Sequence, residues 1–327
     1  MADRNGLFTL NNGLKMPAVG LGTWKSKPGE VQAAVEHALR VGYRHIDCAP
    51  VYGNQNEVGA AFATVFGEGA IKRDEVWITS KIFPKVKAEE YEAQCREILS
   101  ELGVEQLDLC LLHWPTIEHS TLLEMWAAME GLLSKGLTKT IGVSNFSVEK
   151  LNQILPSAKV VPAVNQVELH PTWHQRDLRA FCLDKGIHLS AYCPLGSPDQ
   201  WAADGLNRKC TGVPPLADER VKEVATRVGK TPAQVLLRWG VQMDSSVLPK
   251  SVTPNRIEEN LKVTDGWELS QEDMAALSDW TPQYRLLHGA FHTGPSKAYK
   301  TLRDLWDEDT SYLEGRDFEI PPGFKLQ

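Results

Sequence analysis

The sequence lacks the marks of several protein classes. Its six cysteines, Cys48, Cys95, Cys110, Cys182, Cys193 and Cys210, are scattered, with no C-x-x-C pair. That spacing argues against a disulfide framework and for a reducing compartment. No apolar run approaches the ~20 residues of a membrane span, and the segment from Met1 to Gly6 has no apolar core of the kind a secretory signal needs. The expected location is cytoplasmic. An excess of positive charge is missing too. Lys and Arg number 35 against 42 Asp and Glu, a net charge of -7. Nucleic acid and anionic membrane are therefore not expected partners, and any anionic ligand needs a local cationic cluster. No Gly-, Ser- or Pro-rich linker, low-complexity segment or internal repeat divides the 327 residues, so one domain over 1–327 is expected.

Familiar ligand signatures are also incomplete. Gly20-Leu21-Gly22 is followed by Thr-Trp-Lys, not by the remaining glycine of G-x-G-x-x-G, which argues against a Rossmann dinucleotide site. Gly229-Lys230-Thr231 resembles the end of a P-loop, but Val224 stands where its first glycine belongs. A helix C-cap followed by a new N-cap is the better reading. His170/His174 and His288/His292 have helical spacing, yet Pro171 and Gly289 interrupt it. No metal is expected.

What is present is an alternation. A hairpin is expected over Phe8–Met16, with Asn12-Gly13 at its turn. Eight strand–helix units follow, starting at Val19–Trp24. The next strands run over Arg44–Ala49, Val76–Lys81, Leu107–His113, Thr140–Asn145, Ala163–Glu168, Ile187–Tyr192 and Ser246–Lys250. Between them apolar residues recur at helical spacing, as in Val31, Ala34, Val35, Ala38 and Leu39. One longer helical region is expected from Val221 through Trp239, and Thr253-Pro254 begins a further helix. Strands apolar throughout are buried on both faces, as in a parallel sheet covered by helices. Eight units with no break in composition favour a closed (β/α)8 TIM barrel over an open sheet. Beyond Pro282 the pattern weakens into a long irregular tail, long enough to fold over one barrel mouth.

In such a barrel the strand C-termini converge on one mouth. Asp47, Tyr52, Lys81 and His113 follow the second, third and fourth barrel strands in this way. The set suits proton transfer to a carbonyl oxygen. A phenol near pKa 10 is a weak acid at neutral pH, and an adjacent ammonium is expected to lower that value. Asp47 would keep Lys81 charged, and His113 would orient the oxygen that receives the proton.

A second cluster follows the eighth strand. Lys250, Ser251, Thr253 and Arg256, with Glu259 and Asn260 beyond, lie at a helix N-terminus, a position that favours phosphate. Two cations beside hydroxyls fit a 2′-phosphate, so NADPH/NADP+ is favoured over NAD(H). Ser144, Asn145 and Gln166 offer groups suited to a carboxamide, and Tyr192 a ring face for a flat heterocycle.

With these residues in view, the chain resembles the aldo-keto reductases, those like aldose and aldehyde reductase in particular, over nearly its whole length. The resemblance lies in Gly42-Tyr43-Arg44-His45-Ile46-Asp47-Cys48-Ala49, in Tyr52-Gly53-Asn54 with Glu57-Val58-Gly59, and in Ile78-Thr79-Ser80-Lys81. Leu111-Leu112-His113-Trp114-Pro115, Ile141-Gly142-Val143-Ser144-Asn145-Phe146 and Pro249-Lys250-Ser251 complete it. It implies that Tyr52 is the acid of a tetrad with Lys81, Asp47 and His113, and that the chain reduces aldehydes, ketones or open-chain sugars with NADPH. Thr23, Trp24, Ser144, Asn145, Gln166, Tyr192, Leu195, Ser197, Lys250, Ser251, Arg256, Glu259 and Asn260 then resemble cofactor contacts. Trp24, Val51, Phe83 and Trp114 would make an aromatic pocket for the carbonyl substrate, with a monomer expected. His113 matches the carbonyl-reducing members, whereas the steroid double-bond reductases carry glutamate there. Two features depart from the pattern. Thr116–Ser120 is a short segment after the fourth strand, and Phe83 stands where tryptophan is common. Two rivals remain open here, a cofactor-sensing regulatory subunit of the same fold and a non-redox isomerase of phosphorylated sugars.

Overall fold

The computed structural model describes residues 2–197, 213–308 and 310. Strands β1 (Leu7–Thr9) and β2 (Lys15–Pro17) form the expected antiparallel hairpin, with Phe8 opposite Met16. Gly13 turns it with a φ of 83°. Leu10 and Met16 bury against Trp77, Leu109, Leu111, Ala163 and Val164 from the barrel strands, so the hairpin packs on the barrel wall near the strand starts.

The barrel strands are β3 (Leu21–Gly22), β4 (His45–Asp47), β5 (Trp77–Ile82) and β6 (Leu109–Leu112), followed by β7 (Ile141–Ser144), β8 (Val164–Glu168), β9 (His188–Tyr192) and β10 (Ser245–Val247). They pair in parallel in sequence order. The first returns to the last through Gly20 N–H to Val247 O at 2.9 Å, Val247 N–H to Ala18 O at 2.8 Å and Gly22 N–H to Pro249 O at 3.0 Å. This is a (β/α)8 barrel. Strands β4 to β8 are buried at every position, the burial that their unbroken apolar runs require.

The helices in the crossovers are α1 (Val31–Arg40), α2 (Gln55–Gly67), α3 (Tyr91–Leu102), α4 (Leu122–Ser134), α5 (Val148–Ile154) and α6 (Arg176–Asp184). Helix α1 buries Val31, Ala34, Val35, Ala38 and Leu39, the face its spacing predicts. The longer helical region expected over Val221–Trp239 is two helices, α7 (Glu219–Val228) and α8 (Pro232–Gln242), parted at the caps expected of Gly229-Lys230-Thr231. Gly229 ends the first in a left-handed conformation, and Thr231 opens the second with a capping box to Gln234. The P-loop-like tripeptide is thus a pair of caps. Helix α9 (Pro254–Leu261) begins after Thr253 as expected, and α10 (Gln271–Ser278) and the short α11 (Leu302–Trp306) were not anticipated.

Beyond α10 the chain turns back across the C-terminal mouth. Trp114 at the end of β6 packs with Tyr299, Leu305 and Trp306 from that segment, and the Tyr299 hydroxyl donates to Pro115 O at 2.7 Å. Among the described residues no helix is long and apolar enough to cross a membrane.

Helices α2 and α3 approach closely at Gly59, where an added Cβ would lie 2.3 Å from the backbone oxygen of Glu101. Gly59→Ala is therefore expected to cost ~1–3 kcal/mol through overpacking. Gly131→Ala, in α4 with no atom within 4 Å of its would-be Cβ, is expected to gain ~0.5–1 kcal/mol from helix propensity. Urea denaturation midpoints of both variants check this, and equal shifts would contradict the close approach.

Candidate active site

The tetrad residues come from three neighbouring strands. Asp47 ends β4, Tyr52 closes a short helical turn over Pro50–Tyr52, Lys81 lies near the end of β5 and His113 directly follows β6. In the parallel register Asp47 sits beside Thr79 and Lys81 beside Leu111, which points the functional ends toward one mouth.

The structure brings these groups together. Lys81 Nζ lies 2.9 and 2.8 Å from the two Asp47 oxygens, 2.8 Å from Cys48 O and 3.1 Å from the Tyr52 hydroxyl. An ammonium has three protons. One serves the carboxylate, one the carbonyl and one Tyr52, so the lysine is saturated. The Tyr52 oxygen accepts from Lys81, which leaves its own O–H free to donate elsewhere. Asp47 is braced further by Gln166 Nε2 at 2.8 Å, and its carbonyl accepts from Thr23 Oγ1 at 2.8 Å.

The electrostatics differ from the sequence expectation in one respect. The ammonium was expected to lower the Tyr52 pKa, whereas burial pushes it well above 10.0 and the Asp47 carboxylate acts in the same direction. The physical reason is that Lys81 is matched by both oxygens of Asp47, so little net positive charge reaches the phenol. Tyr52 is accordingly held in its proton-bearing form. His113 is driven well below 6.5 by burial, then by Lys81 and His292. It is a neutral imidazole, and its Nδ1 has no hydrogen-bond partner. The Tyr52 ring stands edge-on to it at 6.1 Å, and Phe83 does so from another side at 5.7 Å.

Asp47, Tyr52 and His113 open on a cavity of about 930 Å³. One side is lined by Trp24, Trp114, Leu287 and Phe291. The other runs along Ser144, Asn145, Gln166, Tyr192, Leu195 and Ser197 to Lys250, Ser251, Thr253, Arg256, Glu259 and Asn260. Of the residues expected from sequence, Thr23, Lys81, Val51 and Phe83 do not line it. Thr23 and Lys81 are buried behind Asp47 and Tyr52, while Phe83 backs His113 and also faces His292 at 5.9 Å.

The expected carboxamide groups are linked to one another. Asn145 Nδ2 donates to His113 O at 2.9 Å and to Ser144 Oγ at 3.2 Å, and its Oδ1 accepts from the Tyr192 hydroxyl at 2.7 Å. Ser144 Oγ donates to Gln166 O at 2.7 Å. Asn145 holds this position at φ 63°, and Lys25, Cys193 and Ser197, at 61°, 51° and 39°, also line the cavity. Left-handed conformations of non-glycine residues cost of order 1–3 kcal/mol each, and such residues gather at ligand sites.

These residues fit a dinucleotide. Arg256 is exposed at the start of α9 and, among the described residues, makes no ion pair. It stands with Lys250 and the Ser251 and Thr253 hydroxyls at a helix N-terminus, a donor set for phosphate.

Leu287 and Phe291 were missed at the sequence level, as were Lys25, Cys193 and Leu216, which also line the cavity. The tail residues carry no periodic signal, because their position follows from tertiary anchoring. Glu168 was missed as well. It is wholly buried and accepts from the N–H groups of Leu286 and Leu287. Burial pushes its carboxyl up, but bonds from His170 and Leu286 and the charge of Arg285 outweigh that and hold it below its usual value. Its partner His170, paired with His174 in the sequence, sits before α6 and not within a helix.

The chain is similar to known proteins over most of its length. The profile of the Aldo/keto reductase family matches residues 18–280. Aldo-keto reductase family 4 member C11 of Arabidopsis thaliana is 42% identical over 323 residues, covering 94% of this chain and 99% of that protein. Human aldo-keto reductase family 1 member A1 is 42% identical over 299 residues, 85% of this chain and 90% of that one. The structure of the aldose reductase from Schistosoma japonicum superposes with a TM-score of 0.81 at 35% identity, covering 90% of this chain and 98% of that one.

Four buried histidines, His45, His113, His174 and His292, and half-buried His188 have folded pKa values pushed below 6.5, each by desolvation first. The unfolded chain therefore binds more protons than the folded one below 6.5, and stability falls as pH falls toward the folded values of about 4 to 3. Unfolding at about pH 5 is expected to take up several protons, and none from these groups at about pH 8. The pH dependence of the urea midpoint measures this, and a flat profile would contradict the burial.

Proposed function

The chain belongs to the aldo/keto reductase family, and we propose that it reduces aldehydes, ketones or open-chain sugars to alcohols with NADPH, using Tyr52 as the proton donor. The observation that carries this reading is the hydrogen bond from Lys81 Nζ to the Tyr52 oxygen at 3.1 Å. It leaves the phenol proton as the group Tyr52 can give, at the wall of the cavity.

When bound, the reduced nicotinamide supplies a hydride to the carbonyl carbon. Tyr52 gives its hydroxyl proton to the carbonyl oxygen, so the product is an alcohol. The phenolate left behind is stabilised by Lys81, which Asp47 keeps charged and in place. A buried phenol with a raised pKa is a poor acid in isolation. Its transfer becomes favourable as negative charge develops on the carbonyl oxygen beside it, and Lys81 is already oriented to meet the charge that appears on Tyr52. Neutral His113 supplies one ring N–H that orients the carbonyl oxygen. Gln166 and Thr23 hold Asp47, and Asn145 holds the backbone of His113.

Lys250, Ser251, Thr253 and Arg256 would bind the 2′-phosphate, with Tyr192 and Leu195 against the flat rings. Trp24, Trp114, Leu287 and Phe291 form the substrate side, and the apolar character of this wall favours aromatic or alkyl carbonyls. The same saturated tetrad disfavours a purely cofactor-sensing role, for which a proton donor aimed into the cavity has no use. The similar proteins include an aldose reductase and aldo-keto reductases, which supports this proposal.

Tyr52→Phe is expected to lower kcat for a good aldehyde substrate by about 10²–10⁴-fold while NADPH still quenches tryptophan fluorescence with near-normal affinity. Turnover at the wild-type rate would refute Tyr52 as donor. Arg256→Ala is expected to weaken NADPH binding by about tenfold and NADH binding hardly at all. Equal loss for both cofactors would remove the argument for the 2′-phosphate.

A further inference from the structure

Strand β8 carries two inward-facing polar residues two positions apart. Gln166 braces the catalytic carboxylate, and Glu168 reaches the other side of the mouth. Glu168 is completely buried, an expensive position for a carboxylate unless its oxygens are fully hydrogen-bonded. Its Oε1 accepts from the Leu286 N–H at 2.7 Å and from His170 Nε2 at 2.8 Å, and its Oε2 accepts from the Leu287 N–H at 2.7 Å. The ring of His170 is fixed in turn by Thr172 Oγ1 at 2.8 Å from Nδ1, and the Thr172 carbonyl accepts from Tyr284 N–H at 2.7 Å. With Nε2–H donating to Glu168, Nδ1 accepts from the threonine, so one tautomer satisfies the whole chain.

The segment 284–287 is thus registered on 168–172 at three backbone amides. Registration decides what faces the cavity. Leu287 lines it, and so does Phe291, four residues on, whose ring meets Trp114 edge-on at 5.3 Å. Arg285, two residues before Leu287, faces away, its guanidinium 3.6 Å above Trp306 and paired with Glu308 at 2.9 Å. A slip of two residues in this segment would put that cation in the place of Leu287.

We propose that Glu168 is a positioning residue for the substrate side of the pocket: by clamping the Leu286 and Leu287 amides it sets Leu287 and Phe291, and thereby selects bulky apolar carbonyl compounds. A carboxylate is required because it presents acceptors to two amides and an imidazole together. Glutamine has one acceptor oxygen, and its NH₂ would be turned against an N–H. The inference rests on the proposed reductase function for what passes the wall, but not for the clamp.

Amide hydrogen exchange on the native wild-type chain tests the clamp directly. Leu286 and Leu287 are expected to exchange at least about tenfold more slowly than exposed Ser296 in the same segment. Equal rates would overturn the proposal whatever the chain catalyses. Glu168→Gln is expected to abolish that protection, to leave NADPH affinity within about twofold, and to lower kcat/KM for a bulky aromatic aldehyde at least about tenfold more than for a short aldehyde. Leu287→Ala is expected to give the same selectivity shift, and the double variant little more than either single one. An equal loss for short and bulky aldehydes in Glu168→Gln, or additive effects in the double variant, would overturn the proposal. Should Glu168→Gln not fold, wild-type exchange and the selectivity of Leu287→Ala still decide it. Absence of NADPH oxidation with every aldehyde would count against the reductase function, while the exchange contrast would still report on the clamp.

Discussion

The buried ion pair between Lys81 and Asp47 is the constraint around which the mouth of this barrel is built. Both side chains are essentially withdrawn from solvent, and stripping water from each ion costs several kcal/mol. Coulomb attraction alone does not secure such a pair. It persists because neither charge retains an unsatisfied hydrogen-bonding group facing the protein. Lys81 uses its three protons on Asp47, Cys48 O and Tyr52, and Asp47 receives Gln166 in addition. Strands β4, β5 and β8 are thereby fixed relative to one another at their C-terminal ends. Tyr52 hangs from this frame by a single bond, and the direction of that bond decides that the phenol donates into the cavity.

Much of this was legible in the sequence, for physical reasons that can be named. Strand burial on both faces demands continuous apolar runs, so the barrel announced itself in Leu107–His113 and its counterparts. The grouping of Asp47, Tyr52, Lys81 and His113 was legible because barrel geometry sends strand ends to one mouth, which converts a position in sequence into a position in space. The break in Val221–Trp239 was legible in Gly229 and Thr231, a C-cap followed by an N-cap. What the sequence could not show was direction and sign. That the charge of Lys81 is offset by Asp47, so that Tyr52 is held protonated, depends on distances no spacing encodes. Leu287 and Phe291 lay beyond reach for a related reason. Their placement follows from Glu168, more than a hundred residues earlier, and no local pattern connects the two.

The cavity divides its work by charge. In a chain with net charge -7, Lys250 and Arg256 make the far end locally positive, reinforced by the start of α9. The near end has the opposite character. Trp24, Trp114, Leu287 and Phe291 line it with apolar surface near Tyr52 and His113, and a low dielectric there strengthens electrostatic interactions. The strained backbone at Asn145, Cys193 and Ser197 lies along the wall between the two ends.

Strand β8 joins these halves. Gln166 reaches the charged frame and Glu168 the apolar wall, with one backbone residue between them. The strand transmits register with little tolerance, since it pairs with β9 along its whole length and with β7 at Asn165 and Gln166. Any displacement of β8 would shift the Asp47 brace and the tail segment together. The side that carries Tyr52 and the side that carries Leu287 are therefore held in one geometry by a single element, which explains why Gln166 and Glu168 are buried on it where apolar residues would cost less.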